Sequence, residues 1–478
     1  MAAGPCAFRC AILQKKDGKK LSLLIKGGTV VFDGVRRQAD VLVEGGKIIK
    51  VEPGIRSDGS EMINVEGKYV LPGAIDVHTH MQLPVSGTVS ADDFFTGTRA
   101  AAFGGVTTIL DFATQHKGET LNEAAAKRRL EAENKACIDY GLHLGITDLT
   151  DETMAEIPVM IDQGYPSFKL FMTYPGLAVD DGELYAALQT VSEAGGMAGV
   201  HAENMHLIRR FVRTLLLEGK TAPAYHEASR PPLVEAEAVS RAILLAAETN
   251  SNLYFFHLST ARGLDEIRRA RRKGLPVYAE TCPQYLLLTR DKYREPDFRA
   301  ARYVMSPPLR GIEDQSALWS GLADGNLQVV GSDHCPFRSD QKQLGLESFD
   351  RIPNGGPGVE TLLPLLLSEG VGKGRLTMER LVEIVSTEPA RLFGLYPRKG
   401  AVMAGSDADL VIIDPGREVA LSAETLHMNL DYTLYEGFVL KGYPVITISK
   451  GKVICSDGRF FGVPGEGEFI VRTKNRQH

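Results

Sequence analysis

The feature that most constrains the fold is an alternation of short apolar runs and helical stretches between residues 73 and 396. The apolar runs predict buried strands at Thr107–Phe112, Ser167–Phe171, Ala198–His201, Leu253–His257, Pro276–Glu280 and Gln328–Ser332. Helical patterns predict helices at Leu121–Tyr140, Gly182–Ala194, Leu233–Glu248 and Gly263–Lys273. This alternation is typical of an α/β protein with a parallel sheet and crossover helices. Because of its length, and because no Gly-x-Gly-x-x-Gly turn opens a helix, a (β/α)8 TIM barrel is favoured over a doubly wound sheet.

Both ends of the chain have a different pattern, in which short β-branched runs are separated by glycine. The predicted strands at the amino end are Leu21–Ile25, Thr29–Phe32, Ala39–Val43 and Lys47–Val51, with turns at Gly27-Gly28 and Gly45-Gly46. Those at the carboxyl end are Asp409–Ile413, Val439–Leu440, Val445–Ser449 and Lys452–Cys455. We therefore predict two domains, a small β-sandwich built from residues 1–72 and 397–478 and a barrel spanning residues 73–396.

Composition excludes several classes of function. The chain has 478 residues, with 54 basic and 60 acidic side chains and a net charge of −6, which argues against binding to nucleic acid. No apolar run approaches the roughly 18–20 residues that span a bilayer. The six cysteines are scattered without metal-site spacing, which indicates reduced thiols and a cytoplasmic protein.

The most informative polar residues stand at the ends of the predicted strands. His78 and His80 follow an apolar run, and residues two apart in a strand project to the same face. His201 and His257 also end apolar strands, and Asp333 follows another. Because the carboxyl ends of barrel strands converge on one mouth, we expect these side chains to form one cluster. Two imidazoles on one face are half of a typical zinc site, although His-x-His alone is a weak signal.

Lys169 lies inside the apolar strand Ser167–Phe171, where an uncompensated ammonium group is costly. Two interpretations remain open from this strand alone. Lys169 could pair with a buried carboxylate, or it could have reacted with CO2 to give an anionic carbamate that reaches two metal ions.

The other histidines carry ordinary structural interpretations. We expect His116 and His143 to be strand-end or core residues and His206 and His226 to lie on helix or loop surfaces. His427 falls outside the barrel, and His478 is in the tail. His334 follows Asp333 and should face away from the cluster, so it can support the cluster only indirectly.

Several motifs resemble the dihydropyrimidinase/D-hydantoinase branch of the amidohydrolase superfamily. They are Asp76-Val-His-Thr-His80, Lys169-Leu-Phe-Met-Thr-Tyr174, Val200-His-Ala-Glu-Asn204, Phe256-His-Leu-Ser259 and Gly331-Ser-Asp-His-Cys-Pro-Phe337. Supporting stretches are Tyr278–Tyr285, Met305–Pro308, Asn354–Gly358 and Gly442–Ser449. The resemblance covers roughly residues 21 to 460.

The resemblance implies a (β/α)8 barrel with a small β-sandwich and two Zn²⁺ ions per subunit. Its ligand set corresponds here to His78, His80 and Asp333 on the more buried metal and to His201 and His257 on the more exposed one. Lys169, modified to N6-carboxylysine, would bridge both ions together with a hydroxide. The resemblance also implies a homotetramer and a role in pyrimidine catabolism. Non-enzymatic relatives of this branch lack metal ligands, whereas none is missing here.

The mechanism implied is hydrolysis of a ring amide to an N-carbamoyl amino acid. Hydroxide would attack the carbonyl carbon, Tyr174 would donate a hydrogen bond to the developing oxyanion, and Asp333 would move the proton to the ring nitrogen. Main-chain groups around Ser306 and Asn354 would bind the imide or ureide edge of the substrate, which makes both residues, with Tyr174, substrate-binding residues.

The choice of substrate depends on a single position after the second histidine. Dihydroorotases resemble this pattern but carry Arg two residues after it, where this chain has Gln82. We therefore expect a neutral small-molecule ring, a 5,6-dihydropyrimidine or a 5-monosubstituted hydantoin. Three alternatives remain: an allantoinase-like hydrolase of another cyclic ureide, a non-catalytic binding or assembly protein on the same fold, and a mononuclear deaminase, which would not need Lys169.

Overall fold

The computed structural model describes residues 22–56 and 59–474. The expectations that concern Cys6, Cys10 and His478 therefore lie outside the described residues. Among the described residues, no helix is long and apolar enough to cross a membrane.

The first strands form hairpins at one edge of a mixed sheet. Strands β1–β5 are Ser22–Phe32, Val35–Glu44, Lys47–Glu52, Glu61–Asn64 and Tyr69–Pro72. The predicted turn at Gly27-Gly28 is wrong, because β1 continues through it with a register shift against β2 between Ile25 and Gly28. Gly27 has a φ of +79°, and its N–H donates to Asp40 Oδ1 at 2.8 Å, so the glycines form a bulge within one strand. Gly45 and Gly46 do form the turn between β2 and β3.

Eight parallel strands form the barrel sheet. Strand β6 is Ala74–Thr79, a two-stranded hairpin follows it with β7 (Pro84–Val85) and β8 (Thr88–Val89), and strands β9–β15 are Val106–Thr114, Asp139–Ile146, Ser167–Phe171, Met197–His201, Leu253–Phe255, Val277–Thr281 and Val329–Val330. The sheet order is β15-β14-β13-β12-β11-β10-β9-β6, and every neighbouring pair is parallel. The fold is thus the predicted α/β barrel.

Helices connect the barrel strands. Helices α1–α9 are Phe94–Phe103, Leu121–Ala132, Asp151–Asp162, Asp181–Glu193, Met205–Leu217, Pro232–Glu248, Ala261–Arg272, Pro283–Leu287 and Ile312–Ala323. Helices α10–α13 are Ser339–Lys342, Leu362–Leu365, Met378–Val382 and Glu388–Leu392, and π-helical turns at Leu366–Val371 and Glu383–Thr387 extend α11 and join α12 to α13.

The predicted helix Leu121–Tyr140 is too long, because α2 ends at Ala132 and its last predicted residues begin strand β10. Asn134 has a φ of +60°, a left-handed conformation that breaks the helix. All eight residues of β10 are buried, whereas the preceding helix carries a charged exposed face. The charge pattern extended the predicted helix across this boundary.

The carboxyl-terminal strands join the sheet that the amino end begins. Strands β16–β19 are Leu410–Ala420, Val439–Ser449, Lys452–Ser456 and Arg459–Phe460. The sheet order is β19-β18-β17-β16-β5-β1-β2-β3, with β4 paired to β1. Its face has a hydrophobic core of its own, which includes Ile25, Val41, Leu410 and Ile448. Both ends of the chain therefore contribute to one second sheet, while the domain boundaries at residues 72/73 and 396/397 stay a prediction.

A buried charge cluster fastens the barrel to the segment that leads into this second sheet. Lys399 Nζ lies 2.7 Å from Asp139 Oδ2 and 3.0 Å from Asp407 Oδ2, and it also contacts Asp409 Oδ2. Lys450 Nζ lies 3.1 Å from Asp139 Oδ1. Asp139 begins β10, so the cluster lies at the amino ends of the barrel strands. Burial acts to raise the pKa of Asp407, but Lys399 and its other cationic neighbours outweigh burial and hold this pKa at about 2.

Removing one partner of a buried ion pair leaves the other charges uncompensated, at a cost of about 3–5 kcal/mol. We expect Lys399→Met to lower the free energy of unfolding by this amount in urea denaturation followed by circular dichroism. The matched control is Lys450→Met, whose side chain is 28% exposed and whose loss should cost at most about 1 kcal/mol. Equal effects of the two substitutions would contradict a structural role for the buried cluster.

Candidate metal centre and active site

The predicted site residues converge at the carboxyl ends of the barrel strands. His78 lies within β6 and His80 directly after it, while Lys169 occupies the middle of β11. His201 is the last residue of β12, and His257 and Asp333 follow the ends of β13 and β15. Parallel strands place these six side chains around one mouth, as the sequence pattern predicts.

Three of them are within ligand distance of one another. His78 Nε2 lies 3.1 Å from His80 Nε2 and 3.1 Å from Asp333 Oδ1, and His80 Nε2 lies 3.3 Å from the same oxygen. Ligand atoms about 2.0–2.1 Å from a tetrahedral zinc ion are about 3.3 Å apart. The donor spacing and the donor types therefore fit a divalent metal of the zinc class.

Lys169 reaches the same cluster without a carboxylate partner. Its Nζ lies 3.2 Å from His78 Nε2 and packs over the rings of Phe112 and Phe256, with centroids at 4.2 and 4.7 Å. No carboxylate of the described residues forms an ion pair with it, so the interpretation of a paired buried lysine finds no support. Burial lowers the pKa of Lys169 to about 8 and so favours the neutral amine, the form that reacts with CO2.

His201 and His257 adjoin the first group, with ring centroids 4.4 Å apart. The ring of His257 is also 5.3 Å from that of His78. His201 Nε2 is bound to Glu203 Oε2 at 2.8 Å, which leaves the other ring nitrogen for a ligand. His257 Nδ1 is buried and has no hydrogen-bond partner among the described residues. Buried polar atoms are normally hydrogen-bonded, so this unpaired nitrogen is available to bind a metal ion.

Burial lowers the pKa of all four imidazoles: His78, His80, His201 and His257. Each side chain therefore stays neutral near pH 7, and neutral imidazole is the form that binds a metal ion. The protonation states and the geometry of the site therefore both fit metal binding.

Two buried glutamates orient these ligands, and neither was identified as a functional residue from the sequence. Glu280 Oε1 contacts His78 Nδ1 and accepts the His257 N–H at 3.0 Å, while Glu280 Oε2 accepts from Tyr254 Oη at 2.9 Å. Burial raises the pKa of Glu280 to about 8. Glu280 ends the apolar strand β14, so the pattern that singled out the histidines could have found it.

The second glutamate, Glu203, contacts His201. It bridges His201 and Arg230, whose Nη1 lies 2.5 Å from Glu203 Oε2. Burial acts to raise the pKa of Glu203, but the opposing charge of Arg230 and the hydrogen bond from His201 outweigh it and hold the pKa at about 2. The carboxylate is therefore ionised and fixes the ring orientation of His201.

Three of the site residues have left-handed backbone conformations that are uncommon for residues with a Cβ. The φ angles are +78° for Tyr174, +40° for His257 and +52° for Asp333. Strain of this kind is concentrated at functional sites, where it aims a side chain that regular strand geometry would misplace. Tyr174 is half-buried, with its ring 5.0 Å from that of His201, and desolvation raises its pKa, so its hydroxyl stays protonated as a donor.

The predicted substrate-binding residues meet beside Tyr174. Ser306 Oγ donates to Asn354 Oδ1 at 2.8 Å, and Asn354 Nδ2 donates to the Ile352 carbonyl at 2.8 Å. Tyr174 and Asn354 line one cavity of about 570 Å³ together with apolar and basic residues of α5. The structure thus brings Tyr174, Ser306 and Asn354 together next to the metal ligands.

The remaining histidines divide between confirmed and wrong interpretations. His226 is wrong as a surface residue, because it is buried and its Nε2 contacts the Met305 carbonyl at 2.7 Å. His143 is a core residue of β10 that contacts the Val77 carbonyl, and His206 is exposed on α5, both as predicted. His334 faces away from the cluster, with Nε2 3.2 Å from Asp92 Oδ2.

A second group with metal-ligand spacing, Asp139, Asp407 and Asp409, is the charge cluster at the other end of the barrel. The Lys399 ammonium contacts all three carboxylates and supplies the charge that a cation would bring. Of the two groups, only the histidine cluster therefore has donor atoms among the described residues that are not already neutralised by a lysine.

Comparison with known proteins agrees with this geometry. Residues 69–454 match the model of the amidohydrolase family. The chain is 46% identical over 457 residues to a D-hydantoinase of Geobacillus stearothermophilus, covering 95% of this chain and 97% of that protein. It is 44% identical over 460 residues to a D-phenylhydantoinase of Escherichia coli (strain 55989 / EAEC), covering 95% of this chain and 98% of that protein.

Solved structures give the same result. The crystal structure of a dihydropyrimidinase from Brevibacillus agri NCHU1002 superposes with a TM-score of 0.95 at 44% identity, covering 96% of this chain and all of that one. The matched family segment contains every residue of the histidine cluster and of the adjoining cavity. On these grounds the chain belongs to the amidohydrolase family, in its D-hydantoinase and dihydropyrimidinase branch.

Proposed function

We propose that this chain is a zinc-dependent cyclic amidase that opens the ring amide of 5,6-dihydropyrimidines or 5-monosubstituted hydantoins to give N-carbamoyl amino acids. The observation that carries the proposal is the convergence of His78 Nε2, His80 Nε2 and Asp333 Oδ1 beside an unpaired buried Lys169. The names of the relatives, hydantoinase and dihydropyrimidinase, support this substrate class.

The residues present fit two metal ions. His78, His80 and Asp333 would hold one and His201 and His257 the other, with carboxylated Lys169 supplying oxygen ligands to both. Bound zinc supplies Lewis acidity, which makes water acidic enough to ionise near neutral pH and polarises a carbonyl group. All six predicted ligands belong to this chain and lie at the mouth of the barrel, which supports the proposal.

Two side chains of this protein would transfer the proton and stabilise the developing negative charge. Asp333 would accept a proton from the attacking water and deliver it to the departing ring nitrogen. Its position at the imidazole cluster and its left-handed backbone aim the carboxylate at the reacting centre. Tyr174, protonated because desolvation raises its pKa, would donate a hydrogen bond to the oxygen on which negative charge develops.

The substrate edge would be bound by the main chain around Ser306 and Asn354. Gln82, the position that distinguishes dihydroorotases, accepts a hydrogen bond from Lys135 at 3.2 Å and presents no cation for a substrate carboxylate. Arg230, the buried cation near Tyr174, is already paired with Glu203. The uncharged side chain of Gln82 at this position therefore favours a neutral ring over an anionic one.

The resemblance also supports a homotetramer located in the cytoplasm with a role in pyrimidine catabolism. These three properties are part of the proposal, and size-exclusion chromatography with light scattering tests the first of them directly.

Substrate class is tested by assaying dihydrouracil, a 5-monosubstituted hydantoin, allantoin and dihydroorotate side by side. We expect turnover of the first two to exceed that of the others, because Gln82 stands where dihydroorotases carry the arginine that binds the substrate carboxylate. Preference for allantoin would favour the allantoinase-like alternative, and preference for dihydroorotate would contradict the use of Gln82. No turnover with near-zero zinc would favour a binding protein.

Carboxylation of Lys169 is tested by substitution. Lys169→Ala should remove nearly all activity and most of the bound zinc, measured by elemental analysis, and short carboxylic acids should restore part of the activity. Native mass spectrometry of the wild type should show a subunit heavier than its sequence by one CO2. Lys169→Arg is the control that keeps the charge but cannot form the carbamate; retention of activity by this variant would refute the role.

The orienting role of Glu280 predicts an effect on metal affinity. Glu280→Gln should weaken zinc binding by about 10–100-fold, the usual loss when a group behind a histidine ligand is altered. The measurement is zinc competition with a chelator. Tyr254→Phe is the matched control, since it removes only the hydroxyl that donates to Glu280, and it should change zinc affinity much less.

A further inference from the structure

Lys342 is a second fully buried lysine near the mouth, and the proposed mechanism does not use it. It is the last residue of α10 and is 1% exposed. Its Nζ donates to the carbonyl oxygens of Val304 at 2.9 Å, Pro353 at 2.7 Å and Gly355 at 2.7 Å. All three donors of the ammonium group are thereby satisfied by main chain.

No carboxylate of the described residues forms an ion pair with Lys342. Burying a charged ammonium without a counter-charge is costly, and burial lowers the pKa of Lys342 to about 7. An apolar side chain of similar length would avoid this cost, but it could not fix the direction of three peptide groups. The specific contribution of the ammonium is therefore the orientation of the carbonyls around it.

Those carbonyls belong to the two segments that form the proposed substrate-binding edge. Val304 lies two residues before Ser306, and Pro353 and Gly355 flank Asn354. The segments are also joined by the Gly355 N–H, which donates to the Val304 carbonyl at 3.0 Å, and by the hydrogen bond between Ser306 and Asn354. Lys342 thus joins the two segments of this edge through three hydrogen bonds.

The link determines where one N–H group points. In a trans peptide the C=O of one residue and the N–H of the next point in opposite directions. Because the Pro353 carbonyl points at Lys342, the Asn354 N–H points away from it. This N–H donates to no other described residue, and Asn354 lines the cavity that it shares with Tyr174.

We propose that Lys342 is a positioning residue that fixes the peptide group before Asn354, so that the Asn354 N–H is free to bind a carbonyl of the substrate ring. The inference rests on the proposed function, because it assigns the N–H to a cyclic imide or ureide. It adds a residue that is not one of the predicted metal ligands to the determinants of substrate affinity.

The test is steady-state kinetics of Lys342→Met with the best substrate of the wild type. We expect KM to rise about tenfold, which corresponds to the loss of one ligand hydrogen bond of about 1.4 kcal/mol. The value of kcat should stay within about twofold and the zinc content should not change, because an interaction shared by ground state and transition state is lost. A purely structural loss would instead lower the fraction of active enzyme and leave KM unaltered.

Two further variants keep the test decisive. Lys342→Gln retains two amide donors and should show a smaller rise in KM than Lys342→Met. Arg380→Met is the matched control, since Arg380 also donates to main-chain carbonyls, those of Leu322 and Leu327, and its loss should lower the Tm with KM unchanged.

The outcomes separate this inference from the proposed function. A wild type that hydrolyses a cyclic ureide together with an unaltered KM in Lys342→Met overturns the inference alone. A wild type that hydrolyses none of the rings overturns both. If neither Lys342 variant folds, Lys342 is a folding determinant rather than a positioning residue, and the inference is also overturned.

Discussion

The closure of the barrel between β6 and β15 is the constraint on which the site depends. The His334 carbonyl accepts the His80 N–H at 2.8 Å, and the His334 N–H donates to the His78 carbonyl at 3.3 Å. The Ser332 N–H donates to Asp76 Oδ1 at 3.0 Å. These bonds join the first and last strands of the sheet and bring Asp333 to the two histidines. Without this closure, Asp333 and the two histidines would stand at opposite edges of an open sheet.

Desolvation gives the residues at the mouth their chemistry. Burial keeps four imidazoles neutral, lowers the pKa of one lysine and keeps a tyrosine protonated, while Arg230 holds Glu203 ionised. These are the protonation states that a metal centre with a hydrogen-bond donor beside it requires. The barrel therefore contributes more than placement, since the same residues on an exposed surface would have ordinary pKa values.

The buried lysines at the two ends of the barrel have different partners. At the amino ends, Lys399 is neutralised by three carboxylates, and these ion pairs join the barrel to the segment that leads into the second sheet. At the carboxyl ends, Lys169 and Lys342 have no carboxylate partner among the described residues, and one contacts a metal ligand while the other contacts main-chain carbonyls. Burial lowers the pKa of Lys169 to about 8 and that of Lys342 to about 7, so both amines lose their proton more readily than Lys399, whose pKa its three carboxylates raise.

The sequence by itself determined the fold class and which polar side chains gather at the mouth, because strand periodicity and the convergence of parallel strand ends can be read from local patterns. His78, His80, His201, His257 and Asp333 follow from them, as do most strands and helices. The sequence did not predict the bulge at Gly27, because a glycine pair can form a turn or a bulge. It also did not predict the early end of α2 and the start of β10, because the charged residues of the helix continue up to this boundary. Only the tertiary structure decided that Glu280 reaches two ligands, that His226 is buried and that Lys342 joins two loops, because these contacts connect residues far apart in the chain.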